Sequence, residues 1–380
     1  MALAARTACL LAALWTAAAA AAGEPPATPD AAGPIGELRF IGEQRIPHRQ
    51  SFGGTTVGGL SGIDYDAADG AWILVSDDRT DEATARFYAA TLSYGEQGFD
   101  AAALVSTSRF RQPDGAPYSS RWLGGELPDV EAVRIDPADG SLWYASEGDR
   151  NRGQDPFVRR ASRAGEPLGQ LPLPAMFRVQ PGRDAGPYNN RGFEGLSFAR
   201  DGRSLWLAME GPLIQDGALP TPAAGAMARL TQLGRDGALL RQVAYPIDPI
   251  PAKPGPMRYA DNGISEILAV DDRRLLVLER AAVQAADGRY TNYIRLYEAD
   301  TSAASDVSAI ASLRDAPLRP AAKRLVLDLN TLGLPRLDNL EGIAWGPRLA
   351  NGHASLVLVS DDNFNPGQVT QLLAFEVLPR

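Results

Sequence analysis

The feature that most constrains the fold of this chain is a short segment that recurs five times along it. Each copy contains two apolar runs separated by a turn and flanked by acidic residues. The copies are GGLSGIDYDAADGAWILVSDD (58–78), DVEAVRIDPADGSLWYASEG (129–148), GFEGLSFARDGRSLWLAMEG (192–211), GISEILAVDDRRLLVLER (263–280) and NLEGIAWGPRLANGHASLVLVSDDN (339–363). Such repetition of one small unit indicates a solenoid, a propeller or a similar array.

The turns and the runs that follow them predict four-stranded β-sheets. Asp-Gly stands in the first three turns and Asn-Gly in the fifth, and both pairs favour hairpins. Two further strand-like runs follow each copy, except that only one follows the fifth. The run ELRFIGEQRI (37–46) has no other partner, so we expect it to complete the last sheet.

We therefore predict an all-β fold, a single β-propeller of five four-stranded blades whose ring is closed by an N-terminal strand. Six blades remain possible if a loop hides a further sheet. A β-sandwich or two all-β domains are the alternatives, but the repeat continues without a linker through the whole chain.

The N-terminal residues predict export. Residues 1–22 contain Arg6 followed by an Ala- and Leu-rich apolar stretch, which is typical of a signal peptide. A membrane anchor is the alternative, but the run is short for a span of about 20 residues. Residues 23–36 form a Pro-, Ala- and Gly-rich flexible lead-in, and 37–380 form the propeller. The expected location is the periplasm or the exterior of the cell.

Composition excludes several classes of function. The only cysteine, Cys9, lies in the leader, so the mature chain has no disulfide and no thiolate site. Lys and Arg number 37 and Asp and Glu 46 in the full chain, and no basic run stands out, so we expect no nucleic-acid partner. We expect no membrane span in the mature chain, a small anionic substrate and a monomer.

The repeats place acidic residues at one end of the predicted channel. The inner strands open with Ser61, Glu131, Glu194, Glu266 and Glu341. The second strands close with Asp77, Asp78, Glu147, Glu210, Glu279, Asp361 and Asp362. In antiparallel blades both sets meet at one mouth, where crowded carboxylates raise one another's pKa unless a cation, an arginine or a shared proton compensates.

An all-oxygen cage suits Ca²⁺, which takes six to eight oxygen ligands. Zinc fits less well, because the chain has only two histidines, of which His48 lies outside the repeats and His353 in the turn of the fifth. Arginines stand beside the same motifs, at Arg79, Arg150, Arg191 and Arg280. They suit the binding of a phosphate or another anion, or they only neutralise the carboxylates. Each repeat acid has a structural alternative as well, as an acceptor of backbone N–H groups or a partner of arginine.

The five motifs, taken in order, resemble those of the bacterial "esterase-like activity of phytase" domain. That resemblance implies hydrolysis of phosphoesters or esters at a propeller site, with the motif Glu and Asp residues as its active groups. Ser61 replaces the glutamate in the first repeat, so that blade is expected to contribute through Asp77 and Asp78 instead.

The leading hypothesis is a Ca²⁺-dependent hydrolase of phosphate esters or related anionic esters. We predict catalytic roles for Glu131, Glu194, Glu266 and Glu341, metal binding by the acids that close the second strands, and substrate binding by the four arginines. Lactone hydrolysis at the same metal is a second hypothesis. A non-enzymatic binding or scaffold propeller with a structural metal is a third.

Overall fold

The computed structural model describes residues 35–380, which form five four-stranded antiparallel blades of a β-propeller. The predicted signal peptide and most of the lead-in lie outside the described residues. The prediction of an all-β propeller with five blades is confirmed, and residues 35–380 contain no α-helix.

The blades follow one another along the chain, each running from its inner to its outer strand. Blade 1 contains β4 (Leu60–Asp66), β5 (Ala71–Ser76), β6 (Arg86–Gly95) and β7 (Gly98–Arg109). Blade 2 contains β8 (Val130–Ile135), β9 (Leu142–Ser146), β10 (Phe157–Ala161) and β11 (Pro167–Gln170). Blade 3 contains β12 (Phe193–Phe198), β13 (Ser204–Met209), β14 (Ala226–Gly234) and β15 (Leu239–Ile247). Blade 4 contains β16 (Gly263–Ala269), β17 (Arg274–Gln284), β18 (Tyr290–Asp300) and β19 (Ala322–Asp328).

Blade 5 joins the two ends of the described chain. It contains β20 (Asn339–Gly346), β21 (Ala354–Asp361), β22 (Thr370–Pro379) and, outermost, β1 (Ile35–Ile46). Strand β1 pairs antiparallel with β22, so the predicted closure by an N-terminal strand is confirmed. The strand starts two residues before the predicted boundary at 37.

Short elements complete the fold. A hairpin of β2 (Ser51–Phe52) and β3 (Thr55–Thr56) precedes blade 1. The 3₁₀ turns are Arg121–Leu123, Arg150–Arg152, Ala175–Phe177, Ile214–Asp216 and Leu329–Leu332.

The core consists of apolar layers between neighbouring blades. Trp72, Trp143 and Trp206 all start second strands and are buried. Trp72 packs with residues of blade 5, Trp143 lies edge-on to Phe198 of blade 3, and Trp206 packs with Val277 of blade 4. The recurring tryptophans therefore hold adjacent blades together, because burial of their large apolar surface stabilises each interface.

Every inner strand carries a β-bulge near its start. The residue that each bulge leaves out of the strand pairing is, in blade order, Ser61, Glu131, Glu194, Ser265 and Glu341. A bulge inserts one unpaired residue and changes the direction of its side chain. Five bulges at one level therefore define a ring of five equivalent positions around the channel.

Below this ring a buried ion pair crosses the channel. Arg134 of β8 contacts Glu266 of β16 at 2.8 Å. The guanidinium also donates hydrogen bonds of 2.8–3.1 Å to carbonyl oxygens of the other inner strands, at Ile63, Ile267 and Ile343. Glu266 in turn accepts a hydrogen bond from the backbone N–H of Leu196 in blade 3. This axial pair thus contacts the inner strands of all five blades.

Candidate functional site

The mouth of the channel is a cavity of about 940 Å³, a volume suited to a small molecule. Nine carboxylate residues line it: Asp77, Glu131, Glu147, Glu194, Glu210, Asp261, Asp338, Glu341 and Asp361. Five arginines line it as well: Arg79, Arg191, Arg280, Arg289 and Arg336. When all of these acids are ionised they outnumber the arginines, so an anion entering the cavity alone would then meet a net negative field.

The cavity is built from two structurally equivalent sets of residues. The first set is the ring of bulge positions, where three blades supply Glu131, Glu194 and Glu341. On each second strand, the second set directly follows the residue that pairs with the one before the bulge, and it comprises Asp77, Glu147, Glu210, Arg280 and Asp361. Blade 4 is the exception, because it supplies Ser265 and Arg280 where most other blades supply acids.

Glu266 does not lie where the sequence alignment placed it. The strand pairing assigns Ser265 to the ring, and Glu266 corresponds to small residues of the other blades, Gly62, Ala132, Gly195 and Gly342. That position faces a neighbouring inner strand; a Cβ on Gly342, for example, would lie 2.9 Å from the carbonyl oxygen of Ser61. Glu266 therefore extends into the axial pair and not into the cavity.

Three of the acids predicted to bind metal lie apart from the cavity. Glu279 pairs with Ile264, one residue before Arg280, and it contacts Lys323 at 2.5 Å. Asp78 is bound by Arg86 and by the backbone N–H groups of residues 81, 82 and 83. Asp362 accepts hydrogen bonds from the backbone N–H groups of residues 59 and 364. In all three, local donors occupy the carboxylate.

Three of the four predicted arginines reach the cavity. Arg79 contacts Asp129 at 2.7 Å and Glu147 at 2.9 Å. Arg191 pairs with Glu210 and with Asp261, the latter at 2.9 Å. Arg150 instead donates to backbone carbonyls at residues 180, 183, 185 and 187, so it fixes a loop.

Arg280 is held more loosely than the other two. Its nearest carboxylates are Glu341 at 3.4 Å, Glu210 at 3.5 Å and Asp261 at 3.9 Å. Its buried Nε atom has no hydrogen-bond partner among residues 35–380. The guanidinium of this cavity-lining arginine thus retains unused donor capacity.

Two groups of three buried carboxylates have the spacing of a metal site. Asp129, Glu131 and Glu147 form one group, and Glu147, Glu194 and Glu210 the other, with ligand oxygens within 4.8 Å of one another in each. Oxygens on opposite sides of a Ca²⁺ ion stand about 4.6–5.2 Å apart, since each Ca–O distance is about 2.3–2.6 Å. Glu147 belongs to both groups.

Unsatisfied oxygens at the same place fit a cation. Asp129 Oδ1 and Glu210 Oε2 are buried and have no hydrogen-bond partner within the described part of the chain. A buried polar atom without a partner costs about 1–3 kcal/mol, and more when it is charged. The donor set, all oxygen and mostly carboxylate, is the one that hard divalent cations prefer.

Burial and mutual repulsion raise the pKa values of these acids. Desolvation, followed by repulsion from Glu210, raises the pKa of Glu194 well above its usual range, and desolvation and Glu194 do the same to the pKa of Glu131. Burial raises the pKa of Glu341 to about 7, against the opposing charge of Arg280. By contrast, Asp261 has a lowered pKa because Arg280 and Arg191 outweigh its desolvation.

Several residues of the cavity and of the carboxylate triplets were missed in the sequence. Asp129 stands two residues before the ring glutamate of blade 2, and Asp261 precedes the fourth repeat. Tyr259 donates its hydroxyl proton to Asp261 at 2.7 Å and accepts from Arg191 at 2.6 Å. An alignment of the fourth repeat on its Gly-Ile pair, in place of its glutamate, would have identified Ser265 as the ring residue.

The comparison with protein-family models agrees with the motifs. A phytase-like family model described as "Esterase-like activity of phytase" matches residues 55–364, which include all five repeats. No curated protein matches the chain by sequence. Similar solved structures include the catalytic domain of the Coprinopsis cinerea GH62 α-L-arabinofuranosidase, at 12% identity and TM-score 0.44, covering 90% of this chain and 97% of that one.

Another is MPT-4, a mannose phosphorylase from Leishmania mexicana in complex with phosphate ion, at 10% identity and TM-score 0.38, covering 91% of this chain and 89% of that one. Likenesses this distant support no functional argument. Residues 35–380 contain no helix long and apolar enough to cross a membrane.

Proposed function

Because the chain belongs to the phytase-like family described as "esterase-like activity of phytase", we propose that it is an exported hydrolase of phosphate esters or related anionic esters that works with Ca²⁺. The single observation that carries this proposal is the pair of buried carboxylate triplets that share Glu147, since four of their five acids line a cavity of about 940 Å³.

The acids proposed to hold the cation are Asp129, Glu131, Glu147, Glu194 and Glu210. When bound, Ca²⁺ supplies positive charge that polarises the phosphoryl or acyl oxygen and makes a nearby water more acidic. Glu131 and Glu194, predicted from the sequence as catalytic, are reassigned here as ligands, since each belongs to one triplet. Asp77 and Asp361 line the cavity but belong to neither triplet.

Anion binding in this cavity depends on the charge balance. With their carboxylates ionised, the nine acids against five arginines would repel a phosphate, so cation and anion are expected to bind together. Arg280 is the arginine best placed to bind the anion, because its ion pairs are long and its Nε lacks a partner among residues 35–380. Arg79 and Arg191 are more fully engaged with acids.

Glu341 is the acid proposed to act as general base. It lies outside both triplets, accepts a hydrogen bond from Asn339 at 2.9 Å, and has a pKa raised by burial to about 7. A base with a pKa near the working pH transfers protons most effectively. Glu341 would take a proton from the water whose oxygen attacks the phosphorus or acyl carbon. As the P–O or C–O bond of the ester breaks, that proton would pass to the departing oxygen, which gives an alcohol and the free acid.

The proposal is tested with the mature chain after removal of metal with EGTA. Hydrolysis of a phosphomonoester, a phosphodiester, an aryl ester and a lactone is measured with and without CaCl₂, together with the melting temperature. We expect Ca²⁺-dependent turnover of anionic esters. The Glu341→Gln variant should lose about 10²–10⁴-fold in rate while its melting temperature still rises with Ca²⁺.

The control is Glu166→Gln, which alters an exposed glutamate at the outer edge of blade 2 and should leave both readouts unchanged. Turnover of the lactone alone would favour the lactonase hypothesis. Ca²⁺-dependent melting without turnover of any substrate would favour a binding or scaffold protein, and turnover unaffected by Glu341→Gln would contradict the assignment of the base.

A further inference from the structure

One wall of the cavity rises above the others. Strand β17 continues for four residues beyond Arg280, whereas the second strands of the other blades end at the equivalent position or one residue before it. At about 3.3 Å per residue, the extension adds about 13 Å of strand. We name this part of the hairpin (281–293), with the segment 255–261, the blade-four wall.

The wall is a fixed structure, because the segment 255–261 is bonded along the extended hairpin. Ala260 forms an antiparallel bridge with Val283. The backbone N–H of Gln284 donates to the carbonyl oxygen of Tyr259 at 2.9 Å, and the carbonyl oxygen of Gln284 accepts a hydrogen bond from the backbone N–H of Gly255 at 2.9 Å. Backbone pairing at both ends leaves the segment little freedom to move.

Two tyrosine rings on this wall line the cavity and are exposed. Tyr259 is 47% exposed and Tyr290 is 55% exposed, and their ring centroids are 6.4 Å apart at an angle of 59°. Tyr259 is oriented by its hydroxyl bonds to Asp261 and Arg191. Half-exposed aromatic rings in a cavity otherwise rich in charge offer the substrate an apolar surface.

The same wall places these rings beside the anion-binding arginines. Arg191, which donates to the Tyr259 hydroxyl, contacts Asp261, and Arg280 lies 3.9 Å from that same carboxylate. Arg289 stands next to Tyr290 at the end of the hairpin and also lines the cavity. An anionic group at Arg280 would therefore have its organic substituent next to the rings.

We propose that the blade-four wall is a specificity subsite that stacks a ring-shaped substituent of the substrate on Tyr290 and Tyr259. The substrates so favoured are anionic esters in which the ester group is attached to a ring with an apolar face. This inference rests on the proposed function, since it assumes that an anion binds at the arginines.

The test uses binding of two non-hydrolysable anions to the mature chain in the presence of CaCl₂. Phenylphosphonate carries a ring, and methylphosphonate does not. Isothermal titration is done with the wild type, with Tyr290→Ala and with Tyr290→Phe, which keeps the ring. Tyr290 is exposed, so its truncation should leave the fold intact, which the melting temperature verifies.

We expect the wild type to bind phenylphosphonate about 3–10-fold more tightly than methylphosphonate. That preference should disappear in Tyr290→Ala and persist in Tyr290→Phe. Equal binding of the two anions by the wild type would overturn the ring subsite and leave the proposed function standing. A preference for phenylphosphonate that persists in Tyr290→Ala would have the same consequence. If neither anion binds, the proposed function itself is wrong, and the subsite fails with it.

Discussion

Replacement of Arg134 by methionine should destabilise the whole propeller. The guanidinium is 3% exposed at the side chain, contacts Glu266 at 2.8 Å and donates to carbonyls of three other inner strands. At pH 8.5 the pair is charged, since this pH lies above the pKa of about 8 to which burial raises Glu266, and removal of one partner of a buried ion pair then costs about 3–5 kcal/mol. We therefore expect Arg134→Met to lower the free energy of unfolding by about that amount.

The corresponding shift in melting temperature follows from the size of the domain. An unfolding entropy of about 2 cal/mol/K per residue gives about 0.7 kcal/mol/K for some 350 residues, so the shift is about 4–7 °C. Urea denaturation followed by tryptophan fluorescence measures the free energy, provided that unfolding is two-state. Arg45→Met is the matched control, since Arg45 pairs with Glu43 at the surface and should cost less than about 1 kcal/mol.

The loss should depend on pH. Burial raises the pKa of Glu266 to about 8 even with Arg134 beside it. Without the arginine, Glu266 stays protonated in the folded chain, because a buried charge would have no partner. The free-energy cost of holding that proton increases as the pH rises. Arg134→Met should therefore be more destabilising at pH 8.5 than at pH 6. A variant as stable as the Arg45→Met control at both pH values would refute the role of the axial pair.

Three further predictions follow from the same structure. In metal-free protein the free energy of unfolding should fall as the pH rises from about 4.5 to 8, because Glu341 (pKa about 7) and Glu266 (pKa about 8) keep protons that the unfolded chain has lost. Urea denaturation at several pH values should show this fall, and Ca²⁺ should reduce it. A free energy of unfolding that rises with pH would contradict the raised pKa values. Glu279→Gln should weaken the contact with Lys323 and lower the melting temperature without changing the affinity for Ca²⁺. Glu210→Gln should lower that affinity, because Glu210 belongs to a carboxylate triplet. Equal effects of the two variants on Ca²⁺ binding would contradict the assignment of Glu210, and not Glu279, as a ligand. If residues 1–22 are a signal peptide, intact-mass analysis of the protein recovered from the periplasm or medium of a bacterial host should give a chain that begins near Gly23, and a chain that retains residues 1–22 would argue against that prediction.

The fold was predictable because two apolar runs separated by a turn recur in all five repeats. Asp-Gly turns and apolar alternation fix the strand pairs, and the unpaired run at 37–46 required a partner that only the last blade offered. The tryptophans at the start of second strands were likewise assigned correctly to packing between blades.

The site was predictable only in part, because a bulge changes which side chain faces the channel. Glu266 and Glu279 look like members of the acidic sets in the sequence, yet each lies one residue away from the position that faces the cavity. A shift of one residue turns a strand side chain to the opposite face. Asp129 and Asp261 lie in loops, where no periodic sequence pattern indicates that their side chains belong to the site.

Calcium binding by the shared carboxylate tests the central claim most directly. EGTA-treated wild-type protein and Glu147→Gln are titrated with CaCl₂ in a calorimeter at pH 7.5, with Glu166→Gln as the control. We predict saturable binding in the wild type and the control, and a loss of binding in Glu147→Gln, since Glu147 belongs to both carboxylate triplets. No binding heat and no change in melting temperature of the wild type at millimolar Ca²⁺ would contradict the account.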